Sequence, residues 1–118
     1  MFYVRSKGFV PRNERDFSNP PVWGLHVIVA QASGSTGGHA QRAFFFMGAR
    51  FIRTDLPDSS AGIDVAWRSN TTIALAYAAY TAHEALCCPK GGTMIVRYEW
   101  TGTSLEALDP IPPPAVRR

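Results

Sequence analysis

The chain has 118 residues, nine prolines, ten glycines, 18% charged side chains and a formal charge of +3. That length sets a single domain with one modest core, and the Pro and Gly content favours a turn-rich β protein over a helical bundle. The positive excess sits at the ends, in Arg5, Lys7, Arg12 and Arg15 and in Arg117 and Arg118, while the body between is slightly acidic; a nucleic-acid binder needs its cations clustered on the folded surface, so that class is set aside.

Residues 1–21 are charged and broken by Pro11, Pro20 and Pro21, which predicts a flexible arm that orders only where it docks. Phe2, Tyr3, Phe9 and Phe17 give this arm the means to pack on its own domain or on a partner. It has no apolar segment followed by a small-residue cleavage site, so no signal peptide is expected in it. No apolar run in the chain approaches the ~18 residues of a transmembrane helix.

Residues 23–32 alternate as a strand, with Trp23, Leu25, Val27 and Val29 on one face and His26, Ile28 and Ala30 on the other. A flexible turn, SGSTGG, follows at 33–38. Its glycines suggest a phosphate loop, but it lacks the Gly-Lys-Ser/Thr ending and reads as a hairpin loop. Residues 39–54 predict two short strands joined by a tight hairpin at Met47, Gly48 and Ala49. The run Phe44, Phe45, Phe46 must put rings on both faces of its strand. Either the arm or a helix covers the second face, or an exposed patch suited to a partner or lipid remains.

A loop with Asp55 and Asp58 leads to another alternating run at 63–67, IDVAW. Asp55, Asp58 and Asp64 do not have the spacing of a calcium loop, and a solvated loop is the default reading. Residues 71–86 are ambiguous. Alanine content favours helix, whereas the Thr-Thr start, the paired tyrosines and the flanking strands favour sheet.

Cys87 and Cys88 are the only cysteines and are adjacent. They are candidates for two free thiols in a turn, for a strained vicinal disulfide, or for metal or intermolecular bridging. No further ligand pattern supports a metal. After Gly91 and Gly92 the run from Thr93 to Trp100 alternates, with Met94, Val96, Tyr98 and Trp100 on one face; a turn at Thr101, Gly102 and Thr103 returns to a short strand. Residues 109–114, DPIPPP, then stop the domain.

Catalytic constellations are sparse. None of His26, His39 and His83 has a carboxylate or serine at motif spacing, so a catalytic site would have to be assembled in space, with His39, Asp55 and Asp64 as the candidates.

The ordered set formed by ASGSTGG (32–38), FFFMGARFIRT (44–54), a strand carrying Tyr77 with Tyr80 beyond it, CCPKGG (87–92) and VRYEWTGTSLEALDPIPP (96–113) resembles the LppP/LprE family of actinobacterial lipoproteins. The resemblance implies a small β-rich domain held or exported outside the cytoplasmic membrane, with no catalytic residues to carry over, and it turns the ambiguous segment toward strand. Two features depart from the family pattern. The chain has no leader with a lipidated cysteine, so membrane attachment is expected only through an anchor it does not carry. The charged arm matches nothing in the family.

The sequence therefore predicts a mainly β, single-domain antiparallel sheet or sandwich of five to seven short strands, with room for one short helix. Its divisions are an arm (1–21), a β domain (22–113) and a tail (114–118). The strands around Phe44 and around Val96 are expected at the centre of the sheet. The expected function is non-catalytic binding of a protein or small ligand in the cell envelope or after secretion, with no cofactor and no nucleic acid. The alternatives are a homodimer or complex subunit acting through an edge strand or the arm, and a small enzyme.

Overall fold

A computed structural model describes residues 2–11, 24–34, 40–80 and 92–117. The elements are α1 (Phe2–Ser6), β1 (Phe9–Pro11), β2 (Leu25–Ala32), β3 (Gln41–Met47), β4 (Arg50–Thr54), β5 (Ile63–Arg68), β6 (Thr72–Ala78), β7 (Thr93–Trp100), β8 (Leu105–Ala107) and α2 (Pro114–Arg117). They build two four-stranded antiparallel sheets, ordered β1-β2-β3-β4 and β5-β6-β7-β8. The mainly β antiparallel architecture is as expected, but the described residues form eight strands and two short helices against the five to seven strands and one helix expected, the arm contributing one strand and one helix.

The core between the sheets follows from strand alternation. Leu25, Val27, Val29, Ala43 and Phe45 point inward from the first sheet, and Ile63, Ile73, Leu75, Tyr77, Val96 and Tyr98 from the second. Phe45 meets Tyr98 across the interface with ring centroids 5.2 Å apart. The expected central strands, β3 and β7, are thus interior strands of two different sheets that face each other, rather than neighbours in one. Residues 71–86 resolve to strand over Thr72–Ala78.

The outer face of the first sheet holds a second apolar layer of Val4, Phe9, Ile28, Ala30, Phe44 and Phe46. The triple phenylalanine therefore divides, with Phe45 inside and Phe44 and Phe46 outside. The arm covers them. Val4 of α1 is fully buried in this layer, and β1 pairs with β2 through Phe9 opposite Ala32. A five-residue helix has no stability of its own, so burial of Val4 and the pairing of β1 hold it in place. The arm's described residues are docked, and 12–21 lie outside the described residues. Gly8 makes the corner between α1 and β1 at φ 82°, where a side chain would be strained.

Two irregularities aim side chains. Between Phe45 and Phe46 the register with β4 shifts, so that Ile52 is the extra residue and packs on the inner core. On β5 the register shifts between Val65 and Trp67, with Ala66 as the extra residue. Unbroken alternation would put Trp67 inside with Ile63 and Val65. The bulge turns it to the outer face opposite Ala74, where it is 48% exposed.

Candidate functional site

The residues singled out in the sequence do not converge. Cys87, Cys88, His39 and His83 lie outside the described residues. His26 is buried on the outer face of β2, in register with Phe46. Asp55 lies in the interior, whereas Asp64 projects from the opposite face of β5, between inward Ile63 and Val65. Asp58 is taken up by an arginine. The site expected from His39, Asp55 and Asp64 is therefore not brought together at its two carboxylates. Among the described residues no group of three or more His, Cys, Asp or Glu side chains could hold a metal ion.

Asp55 instead ends a buried polar relay. It is 1% exposed, and a carboxylate at that depth needs partners on both oxygens. Oδ1 accepts the Ala43 N–H at 3.0 Å, and Oδ2 accepts the Tyr77 hydroxyl at 2.7 Å. The Tyr77 and Tyr98 oxygens are 2.6 Å apart. Since the one proton of Tyr77 points at Asp55, Tyr98 is the donor of that second bond. Burial pushes the Asp55 carboxyl above its ordinary range, against the lowering effect of these donors. Burial likewise raises both phenols, Tyr98 to about 12. The relay joins β3, the turn after β4, β6 and β7; Asp55, Tyr77 and Tyr98 are all buried, so its work is structural.

A second polar anchor was not legible in the sequence. Arg117, expected in the tail, is 3% exposed. Its Nε donates to Pro112 O at 2.7 Å, Nη1 to Ser60 Oγ at 2.9 Å, and Nη2 to both Asp58 oxygens at 3.1 and 3.2 Å. Backbone bonds from Ala61 N to Arg117 O and from Tyr80 N to Val116 O seat α2 on the second sheet's loops. The tail's described residues are thus part of the domain. Its charge reads as solvated in sequence, because partners nearly sixty positions away cannot be seen there.

The feature suited to binding is a groove of about 410 Å³ on the outer face of the first sheet, between α1 and β4. Phe44 of β3, nearly fully buried, lies in its floor. Phe51 of β4 lies 6.1 Å from Phe44, and Tyr3 and Phe9 of the arm approach Phe44 at 6.5 and 5.3 Å. Cations border these rings. The Lys7 ammonium and the Arg42 guanidinium each lie 5.3 Å from a ring centroid, of Tyr3 and Phe9 respectively; such contacts are worth ~0.5–1 kcal/mol at exposed sites. Arg42 is further fixed by its Nε donating to Ser59 Oγ at 3.2 Å. Arg53 also lines the groove, but its guanidinium donates to Leu105 O across the sandwich. Among the described residues lining the groove there is no carboxylate. The volume falls within the range of small-ligand sites. In sequence the aromatic arm was the signal for this groove, but its floor could not be placed without knowing which face of β3 the arm covers.

Fold and site together define a two-sheet antiparallel β-sandwich with a ligand-sized groove and, among the described residues, no assembled catalytic constellation. The family model of the LppP/LprE lipoproteins matches residues 21–103, and the chain belongs to that family. This is a lipoprotein family of unknown function, not known as enzymatic, and lipoprotein membership points to an extracytoplasmic or membrane-anchored location. No helix among the described residues is long and apolar enough to cross a membrane. Comparison with curated proteins and with solved structures gives no significant match. The matched segment contains the groove's floor, whereas α1, β1 and the turn between them, which supply Tyr3, Phe9 and Lys7, lie outside it.

Proposed function

We propose that the protein is a non-catalytic binding domain of the cell envelope or of the secreted fraction, and that it binds a small ligand in the groove between α1 and β4. One observation carries this reading. Four aromatic rings line an open concavity of about 410 Å³ that the domain's own side chains leave unfilled. A sheet face needed only for stability would be closed by the arm. Here the arm covers Phe44, Phe46 and Ile28 and supplies Tyr3 and Phe9 to the rim, yet the concavity beside β4 stays open.

The test is titration of the isotope-labelled chain with a panel of small apolar and amphiphilic compounds, read by backbone amide shifts. Shifts confined to α1, β3 and β4 support the reading. A panel that leaves those amides unmoved, or that moves only the second sheet, overturns it.

A second reading, an interaction subunit, is favoured by the outer face of the second sheet. There Trp67 and Ile95, 48% and 45% exposed, flank the alanines of β6. Burying two such side chains against a partner would contribute a few kcal/mol. A strictly monomeric mass by light scattering at all concentrations would remove self-association through this face.

A further inference from the structure

The geometry points to a flexible single-chain amphiphile with an anionic head as the groove's ligand, its chain lying against Tyr3 and Phe51 above the buried Phe44 and its head held by Lys7 and Arg42. This rests on the groove being a binding site and adds the chemistry of what enters it.

The rings of the groove stand at steep angles to one another. Tyr3 and Phe44 stand at 72°, Phe9 and Phe44 at 67°, and Phe44 and Phe51 at 47°. A flat aromatic ligand is best held between two parallel faces a ring's thickness apart. Among the described residues lining the groove the one near-parallel pair is Tyr3 and Phe51, at 27°, and their centroids are 4.2 Å apart, in contact with each other. No slot for a planar molecule exists there. Tilted edges and faces instead make an uneven apolar bed, which a chain with many rotatable bonds can follow.

Charge supplies the second half. Lys7, in the turn after α1, and Arg42 of β3 each border one ring of the groove, Tyr3 and Phe9 respectively. Side chains of this kind can lay their aliphatic stems on apolar surface and keep their charged heads at its margin. Among the described residues of the lining no carboxylate balances them. A ligand with an apolar body and a negative end matches both features at once. A neutral chain would use the bed and forgo the cations, and a cationic chain would be repelled.

Decanoate, decanol and decyltrimethylammonium, each below its micelle-forming concentration, are titrated into the full chain and into Lys7→Gln and Arg42→Gln. Binding is read by amide shifts, and thermal unfolding confirms that both variants stay folded. Decanoate should bind at least about fivefold more tightly than decanol, the upper worth of one exposed ion pair, and decyltrimethylammonium more weakly than either. Each substitution should remove about fivefold of decanoate affinity and leave decanol unchanged. Equal binding of all three in the groove overturns the anionic ligand and leaves the binding site standing. Loss of decanol together with decanoate in the variants also overturns it, since the cations would then be shaping the groove and not reading charge. Shifts with none of the three overturn both readings. Groove shifts seen with anionic phospholipid vesicles but not with decanoate overturn the free amphiphile in favour of a membrane surface.

Discussion

Replacing Tyr77 by phenylalanine removes one oxygen from the centre of the relay that ends at Asp55. Two bonds go with it, the 2.7 Å bond to a carboxylate and the 2.6 Å bond from Tyr98. A bond to a charged group contributes ~1.5–3 kcal/mol and a neutral one ~0.5–1.5 kcal/mol. The expected cost is therefore about 2–4 kcal/mol, with Asp55 Oδ2 and the Tyr98 hydroxyl left wanting partners in the interior. Tyr98→Phe removes only the terminal donor and leaves Tyr77 bonded to Asp55, for about 0.5–1.5 kcal/mol. The double variant should cost no more than Tyr77→Phe alone, because the second substitution deletes a hydroxyl that the first had already orphaned. Urea unfolding resolves these values. At a slope of about 2 kcal/mol per molar, mid-range for small proteins in urea, Tyr77→Phe should lower the midpoint by about 1–2 M, and Tyr98→Phe by clearly less. Equal costs for the two single variants, or a double variant equal to their sum, would refute a directed chain that ends at the carboxylate.

Asp55→Asn should shift the pH dependence in a defined direction. The folded carboxyl is raised above its ordinary value of 3.8, so the native state holds the proton more tightly than the unfolded chain, and this group's contribution to stability declines as pH rises through its folded value. Asparagine lacks that decline. The stability of the variant relative to the parent should therefore rise between mildly acid and neutral pH, as read by denaturation at both; a relative stability that falls sinks the assignment. Arg117→Ala should lower stability by about 2–3 kcal/mol, for loss of charge-assisted bonds to Pro112 O and Ser60, or by roughly 10 °C in thermal midpoint for a domain of this size. Arg117→Lys should not restore it, since one ammonium cannot span the fork that the guanidinium occupies. The Asp109 carboxyl, accepting from the Arg97 guanidinium and backbone N–H, is held down to about 2. Carboxyl NMR should show it titrating there, and Arg97→Gln should move it toward 3.8; an unmoved midpoint would show that the guanidinium does not hold it down.

What could be read from sequence was whatever obeys short-range periodicity. The strands around Ile28, Phe45, Leu75 and Val96 alternate and bury as alternation demands. The hairpin at Gly48 sits where a residue at φ 59° was needed. The likeness to the LppP/LprE family reached to residue 113 in the sequence and is matched over 21–103. The features that escaped depend on distance along the chain. β1 is three residues long, too short to show a period. Trp67 fails the alternation rule because a single extra residue, Ala66, precedes it. Asp55 looks like a loop carboxylate, since its partners Tyr77 and Tyr98 come from strands that sequence cannot align with it. The groove needs the arm to fold back onto β3, which the aromatic content of the arm allows but does not direct.

The placement of Phe44, Phe45 and Phe46 has a consequence for how β3 finds its neighbours. A strand with one wet face cannot slide by one position without putting its apolar set into water. β3 has no wet face over this stretch. A slip that exchanges Phe45 for Phe44 or Phe46 still delivers every ring to an apolar layer. Burial of the three rings alone therefore barely distinguishes the correct alignment from its neighbours, and polar contacts with a fixed address add to the choice. Asp55 accepts from the Ala43 N–H and from no other position on β3, Gln41 Oε1 accepts from Ile63 N at 2.8 Å, and Gly48 allows the chain to turn at one place. The buried carboxylate acts as a key that admits one alignment among several of nearly equal burial. Its loss should show as mixed alignments on refolding as well as in a lower midpoint.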